Sequence, residues 1–292
     1  MRHNVTVITP SFNQGRFIER TILSVLTQEA PGLEYWVIDG GSTDETVGIL
    51  RRHESRIRWI SEKDRGQGHA VNKGLERAQG EIIGWLNSDD IYYPGAVAAV
   101  CELFAARPEV DIVYGEANHI DVADGVIEPY PTEPWDADRL VQVCYICQPA
   151  VFFRRSVVAK YGLINENLYN CMDWEYWLRL AIGGAKFAYL SQLLAGSRMY
   201  KENKTLLSRS RAHREYNDMT RKLLGRTPDR WLLNYAHAVI DERAVPRADR
   251  LRFAVQVSAV SLWASLRWNR CISRNMLRTT WGFVEGAARN RK

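Results

Sequence analysis

Over the first 120 residues, short apolar runs alternate with stretches whose apolar positions recur at helical spacing. Asn4 to Thr9 predicts a strand, and Phe17 to Leu26 predicts a helix, because Ile18, Ile22, Val25 and Leu26 fall on one face. Tyr35 to Ile38 predicts a second strand, ended by Asp39-Gly-Gly-Ser-Thr-Asp44, where glycines permit a sharp turn and Ser42 or Thr43 is placed to cap the next helix. Ile57 to Ile60 predicts a third strand and Gly68 to Gln79 a helix; Glu81 to Leu86 predicts a fourth strand, ended by Asn87-Ser-Asp-Asp90. Pro94 suits the first turn of a following helix, and Asp111 to Tyr114 predicts a fifth strand. Strand, loop and helix at this spacing imply a mostly parallel sheet flanked by helices, with ligands at the carboxyl ends of the strands. Asp39, Asp64 and Asp89 each lie at or just past such an end, which predicts three carboxylates on one rim.

Beyond Asp121 the alternation weakens. Pro129, Pro131 and Pro134 mark an irregular crossing loop, Gln148 to Arg154 predicts a strand, and Met172 to Ile182 predicts a helix with Asp173 and Glu175 in its first turn, where the helix dipole favours negative charge. Trp174 and Trp177 share a face of that helix, which makes core packing their default use. Lys186 to Leu190 and Leu194 to Tyr200 predict two strands. From Thr205 the pattern is helical, broken near Pro228 and Pro246. The implied division is residues 1–225 as a catalytic domain, with halves 1–118 and 119–225, followed by a helical extension at 226–292.

Charge sharpens this division. The 292 residues carry 39 Lys plus Arg against 34 Asp plus Glu, a net +5. From Arg243 onward there are eleven basic residues and two acids, so the first 242 residues carry −4 and the tail +9. With 46% hydrophobic residues the composition excludes disorder and fibrous repeats. Five cysteines and a start that lacks a long apolar segment lead to the expectation of a reducing, cytoplasmic compartment. Cys144 and Cys147 have redox or zinc spacing, but no second pair accompanies them and buried thiols are expected.

Several phosphate-handling motifs are missing. Gly66-Gln-Gly68 lacks the third glycine of the dinucleotide fingerprint, and no GxxxxGK[ST] loop occurs. What remains is carboxylate chemistry: Asp89 and Asp90 in a strand-end loop are the kind of ligand that holds Mg²⁺ or Mn²⁺ when phosphate oxygens and water complete the shell, with Lys73 nearby. Taken alone, Asp39 reads as a helix-capping or turn aspartate and Lys73 as a solvated helix lysine, while for Asp64 a solvated loop charge is the rival reading.

Five ordered motifs carry a resemblance. Val7 to Asn13, Val37 to Asp44, Asp64 to Gly74, Trp85 to Asp90 and Met172 to Arg179 resemble the inverting nucleotide-sugar glycosyltransferases of family two, over residues 4 to 205. The resemblance implies a GT-A fold, in which a nucleotide-binding α/β sheet merges into an acceptor-binding half. It also implies that Thr9, Pro10 and Asn13 border the nucleotide, that Asp39 meets the base, that Asp64 lines the same pocket, and that Lys73 approaches the base or diphosphate. Asn87-Ser88-Asp89 takes the DxD position, with Asp89 as metal ligand and Asp90 beside it. Asp173 matches the catalytic base, with Glu175 as runner-up. Two positions depart from the pattern: Asn87 replaces an aspartate, and Tyr200 stands where many relatives have a histidine.

The implied activity is metal-dependent, inverting transfer of a sugar from a nucleoside diphosphate, UDP or dTDP, to a glycan or lipid-linked hydroxyl in cell-surface polysaccharide assembly. A nucleotidyltransferase and a non-catalytic nucleotide-binding scaffold are the rival readings. Residues 247–292 set Arg267, Arg270, Arg274 and Arg278 beside Trp268, Ile272, Leu277 and Trp281, a pattern that fits an amphipathic helix pair on an anionic, inner membrane surface and equally a helical cap or dimer contact. No nucleic acid is expected, because the acidic body repels phosphate.

Overall fold

The computed structural model describes residues 4–28, 30–200 and 209–289. Residues 205–208, expected to open the helical tail, and 290–292, the end of the basic stretch, lie outside the described residues.

The chain forms two compact units, Met1–Tyr200 and Lys201–Lys292. The helix Arg209–Leu224, which the sequence pattern assigned to a catalytic domain ending at 225, falls within the second.

In the first unit the order is β1 (Val5–Ser11), α1 (Ile18–Leu26), β2 (Glu34–Asp39), α2 (Thr46–Arg52), β3 (Arg58–Ser61), α3 (Gln67–Arg77), β4 (Ile82–Trp85), β5 (Ile91–Tyr92), α4 (Ala96–Ala106), β6 (Ile112–Ile120), β7 (Val126–Pro129), α5 (Ala137–Gln142), β8 (Val151–Arg154), α6 (Arg155–Tyr161), α7 (Met172–Ile182) and β9 (Phe187–Arg198). Among the described residues the strands form one nine-stranded sheet, ordered β3-β2-β1-β4-β8-β6-β9-β5, with β7 added on β6. The four strands β3-β2-β1-β4 are parallel, as the alternation of strand and helix predicts. Beyond β4 the sheet is mixed, because β8 is antiparallel to both β4 and β6 while β9 is parallel to β6.

All seven residues of β1 are buried, as a strand covered on both edges and both faces requires. α3 lies close against it: a Cβ on Gly74 would stand 2.3 Å from Ile8 Cγ2, so only glycine permits this approach.

Several local expectations need correction. The Pro-rich stretch is irregular over 130–136, as expected, but it is flanked by β7, which ends on Pro129, and by α5, capped by Asp136 accepting from the Arg139 N–H at 2.9 Å. The two strands expected at 186–200 are one strand, β9; its register shifts opposite Gly115 and Glu116, so residues near Ser191 and Gln192 bulge out and interrupt the alternation. Neither Ser42 nor Thr43 caps α2; Asp44 Oδ1 instead accepts from the Thr46 N–H at 3.0 Å. Pro94 precedes α4, whose cap is Gly95.

The second unit holds α8 (Arg209–Leu224), α9 (Asp229–Glu242), α10 (Arg250–Asn269) and α11 (Arg274–Arg289). Among the described residues no helix is long and apolar enough to cross a membrane.

Candidate active site

Parallel register sets Ser11, Asp39 and Ser61 side by side at the carboxyl ends of β1, β2 and β3. Asp39 is fully buried. Its Oδ2 accepts from the N–H groups of Gly41 (3.1 Å) and Ser42 (2.9 Å) and from Ser61 Oγ (2.6 Å), while Oδ1 accepts from Ser42 Oγ at 2.5 Å. This carboxylate therefore shapes the 40–44 loop. Asn13 pins the same loop from β1: held at φ 52°, it donates its N–H to Ser42 Oγ and accepts from the Thr43 N–H. Thr9 is buried, its Oγ1 3.1 Å from the Tyr35 hydroxyl, and Pro10 pairs in register with Ile38. Across the rim, Asp64 stands against Gly40, where a Cβ would come within 2.7 Å of Oδ2, and Asp64 Oδ1 accepts from the Gly66 N–H. Lys73, on α3, has its ammonium 2.8 Å from Glu62 and 3.5 Å from the Lys63 carbonyl.

The loop after β4 is tied down from three sides. Asn87 uses its whole amide: Oδ1 accepts from Gln67 Nε2 (2.7 Å) and Trp85 Nε1 (3.0 Å), and Nδ2 donates to Gln148 Oε1 (2.7 Å) and Asp90 Oδ2 (3.3 Å). Ser88 is buried, and its carbonyl accepts from Thr21 Oγ1. Asp90 faces inward, with Oδ1 accepting from the Arg198 N–H at 2.9 Å. Burial, followed by the charge on Asp89, pushes its carboxyl well above the usual carboxylate range. Asp89 is half-buried; its Oδ2 accepts from the Tyr200 hydroxyl at 2.8 Å.

Asp173 opens α7, and burial raises its carboxyl above the ordinary aspartate value despite hydrogen bonds from backbone at Trp174 and Asp173. Glu175 is buried and chelated by the Arg179 guanidinium, at 2.9 Å and 3.2 Å, on the same helix. Arg179 also donates to the carbonyls of Tyr161 and Leu163, so this pair fastens α7 to the segment before it. Trp174 donates to the Leu140 carbonyl and Trp177 is fully buried, both as core residues. A chain of contacts joins α7 to the rim: a Cβ on Gly68 would meet Met172 Sδ at 3.6 Å, and Gln67, one residue earlier, bonds Asn87. Burial, followed by the charge on Asp90 and with a smaller part from Asp173, pushes the Cys147 thiol up. Cys144 and Cys147 are free thiols. A separate cavity of about 480 Å³ at the opposite rim, lined by residues such as Asn4, Glu34 and Arg58, contains none of these side chains.

The sequence profile described as "Glycosyl transferase family 2" matches residues 6–162, more than half of the chain. This chain belongs to glycosyltransferase family 2. It is 29% identical over 208 residues to the chondroitin synthase of Escherichia coli, covering 69% of this chain and 30% of that one. An uncharacterized glycosyltransferase of Mycobacterium tuberculosis is 34% identical over 185 residues, covering 61% of this chain and 69% of that one. The chain therefore spans under a third of the chondroitin synthase. In fold it resembles the GT-A enzymes S. aureus TarS, solved with UDP-GlcNAc (TM-score 0.65, 15% identity, 99% of this chain and 92% of that one), and the mannosyltransferase of Pyrobaculum calidifontis, solved with GDP-Man and Mn²⁺ (TM-score 0.60, 21% identity, 99% and 86%).

Among the described residues no cluster of three or more His, Cys, Asp or Glu is placed to hold a metal. In the loop after β4, Asp89 is half-buried whereas Asp90 is buried, and a single protein carboxylate there fits a Mg²⁺- or Mn²⁺-type ion that takes most of its ligands from substrate phosphate and water. Residues not singled out from the sequence also brace this rim. Arg198 is buried; its Nε donates to the Asp89 carbonyl at 2.7 Å, and its guanidinium also pairs with Asp124. Gln148 Nε2 holds the Trp85 carbonyl at 2.6 Å, and Asn72 clasps Ile164 and Glu166. An arginine inside the apolar run ending at Tyr200 was the one visible signal.

Proposed function

We propose that this chain transfers a sugar from a nucleoside diphosphate to a hydroxyl acceptor, with inversion and with the help of a divalent cation, in polysaccharide or glycan synthesis. The observation that carries the reading is the convergence, within a family-2 chain, of the loops bearing Asp39, Asp64, Asp89 and Asp173 through the Gly40–Asp64, Gln67–Asn87 and Gly68–Met172 contacts.

The 39–44 and 64–66 loops form the walls for the nucleoside. Asp39 holds the first loop in shape, and Asp64 and Lys73 set its charge on the other side. Asp89 is the residue that would hold the cation, which when bound offsets the charge developing on the departing diphosphate. Asp90 and Asn87 are turned into the protein and position Asp89. A hydroxyl acceptor is a poor nucleophile at neutral pH, so a carboxylate must remove its proton as attack proceeds. Asp173 is the proposed base, because Glu175 is held by Arg179. One base and a single displacement invert the anomeric carbon.

The donor nucleotide is proposed as UDP or dTDP; the fold neighbours solved with UDP-GlcNAc and with GDP-Man and Mn²⁺ support a nucleotide sugar and a metal. The relative named for chondroitin synthesis, and another named for O-antigen biosynthesis, support a glycan product. The acceptor is proposed as glycan or lipid-linked, with the basic residues 247–292 keeping the enzyme at an anionic membrane surface inside the cell.

The test is a thermal-shift screen against UDP-, dTDP- and GDP-sugars with and without Mn²⁺, followed by measurement of released nucleoside diphosphate. Stabilisation by one donor, turnover with Mn²⁺, and its loss in Asp173→Asn with donor binding retained are the expected results. Pyrophosphate release instead would identify a nucleotidyltransferase, and binding without turnover a scaffold.

A further inference from the structure

α10 and α11 each leave large apolar side chains in solvent. The buried side of α10 combines Val257 and Trp268 with small residues, Ala254, Ser258, Ser261, Ala264 and Ser265, while Val255, Trp263 and Leu266 are exposed, Trp263 by 52%. On α11, Met276 and Thr280 are buried, whereas Leu277 is exposed and Trp281 is 71% exposed.

The two helices form an antiparallel hairpin, since Ser258 Oγ donates to the Thr280 carbonyl at 3.1 Å while Trp268 shares a core cluster with Met276. At about 100° per residue, Val255, Trp263 and Leu266 share one side of α10, with Trp263 also leaning on Tyr235 of α9, and Leu277 and Trp281 share one side of α11. On α10 the opposite side is covered by α9, through Ala236 and Ile240 against Val257. Arginines frame the outward side, with Arg252 and Arg270 at the ends of the α10 row and Arg267 and Arg274 near the turn, all exposed.

We propose that this outward face of the α10–α11 hairpin is a membrane-docking surface, lying parallel to the plane of an anionic bilayer with Trp263, Leu266, Leu277 and Trp281 in the headgroup layer. This rests on the membrane reading proposed above and names the residues that carry it. The charge selects the occupant. Lipid phosphates match the arginine frame, and tryptophan favours the interface between headgroup and acyl chain. A second copy of the chain would bring arginine against arginine.

The test is flotation of the full chain with vesicles of phosphatidylcholine alone and of phosphatidylcholine with phosphatidylglycerol. The wild type should float with the anionic vesicles, and Leu266→Glu with Trp281→Glu should lower the bound fraction about tenfold, from lost apolar insertion and added repulsion. Leu277→Ser with Trp263→Ser should weaken binding without altering charge, and Val126→Glu with Ile127→Glu, exposed in the other unit, should leave it unchanged. Circular dichroism confirms that each variant is folded. If the wild type ignores anionic vesicles, the membrane reading itself falls. Where it floats but both face variants float equally well, the membrane reading stands and this face is wrong. Equal binding to neutral vesicles, or a dimer dissolved by the Leu266 and Trp281 changes, overturns the proposal in favour of another occupant.

Discussion

Tyr200 lies over Asp89: its hydroxyl donates to Asp89 Oδ2 at 2.8 Å while its ring leans on Phe17, with centroids 5.0 Å apart. Burial, followed by the charge on Asp89, pushes the phenol up, so it stays a neutral donor. It also sits 3.4 Å from Gln14 Nε2, linking the loop after β1 to the end of β9. Tyr200 therefore orients the proposed metal-binding carboxylate from outside.

Removing that donor tests the arrangement. Tyr200→Phe keeps the ring on Phe17 and removes this donor from Asp89 Oδ2, and the apparent affinity for Mn²⁺ in the transfer assay is expected to fall about tenfold, as for other groups that orient a ligand. Tyr200→His, which restores an N–H donor, should recover part of the loss. An unchanged metal dependence in both variants would remove Tyr200 from the site.

Much of this site could be read along the chain, because its backbone is local. Asp39, Asp64 and Asp89 each follow an apolar run that ends at one rim, and strand ends are visible as pattern. The partners were not visible. Asn87 looked like an ordinary substitution in an acidic motif, yet its role depends on Gln67 and Gln148, which are 20 and 61 residues away. Arg198 stabilises the loop from over 100 residues downstream. The fold was legible where strands are parallel and separated by helices. It was less so where β8 inserts between β4 and β6, since pairing order leaves no mark on local periodicity. In the tail, the hydrophobic period pointed to helices but left open which side packs: Val257 and Trp268 together with small residues form the buried face of α10.

Gly40 offers a second test. Asp64 comes close enough that a Cβ on residue 40 would lie 2.7 Å from its Oδ2, and only a side chain has to move. Gly40→Ala should push Asp64 off the rim and raise the donor KM several-fold, with Tm changed by no more than about 2 °C, the equivalent of roughly 0.5 kcal/mol for a chain of this size. A large Tm loss with unaltered KM in the surviving enzyme would show that Asp64 is only a loop charge.

Restoring the acidic motif should harm the protein. In Asn87→Asp an oxygen replaces Nδ2 and faces Gln148 Oε1 and Asp90 Oδ2, and Gln148 cannot turn over without losing its bond to the Trp85 carbonyl. Leaving such buried oxygens unmatched costs about 1–3 kcal/mol, a Tm decrease of several degrees. Calorimetry of the purified variant decides this, and a variant as stable and active as the wild type would contradict the closed network.

A base works only when ionised, and burial holds the Asp173 carboxyl above the ordinary aspartate value of about 3.9. As pH falls through that raised value the base takes up its proton, so kcat at saturating donor should drop about tenfold per pH unit, starting above the range of an unperturbed carboxylate. The sign is fixed by the direction of the shift: a raised pKa moves the acid limb towards neutral pH, and a lowered one would move it away. Glu175 is held by Arg179 and is not the proposed base, so Glu175→Gln should keep the acid limb of the wild type in whatever fraction remains folded. Asp173→Asn should leave only a small residual rate with no acid limb. A wild-type kcat flat down to pH 4 would place the proton elsewhere and remove Asp173 as the base.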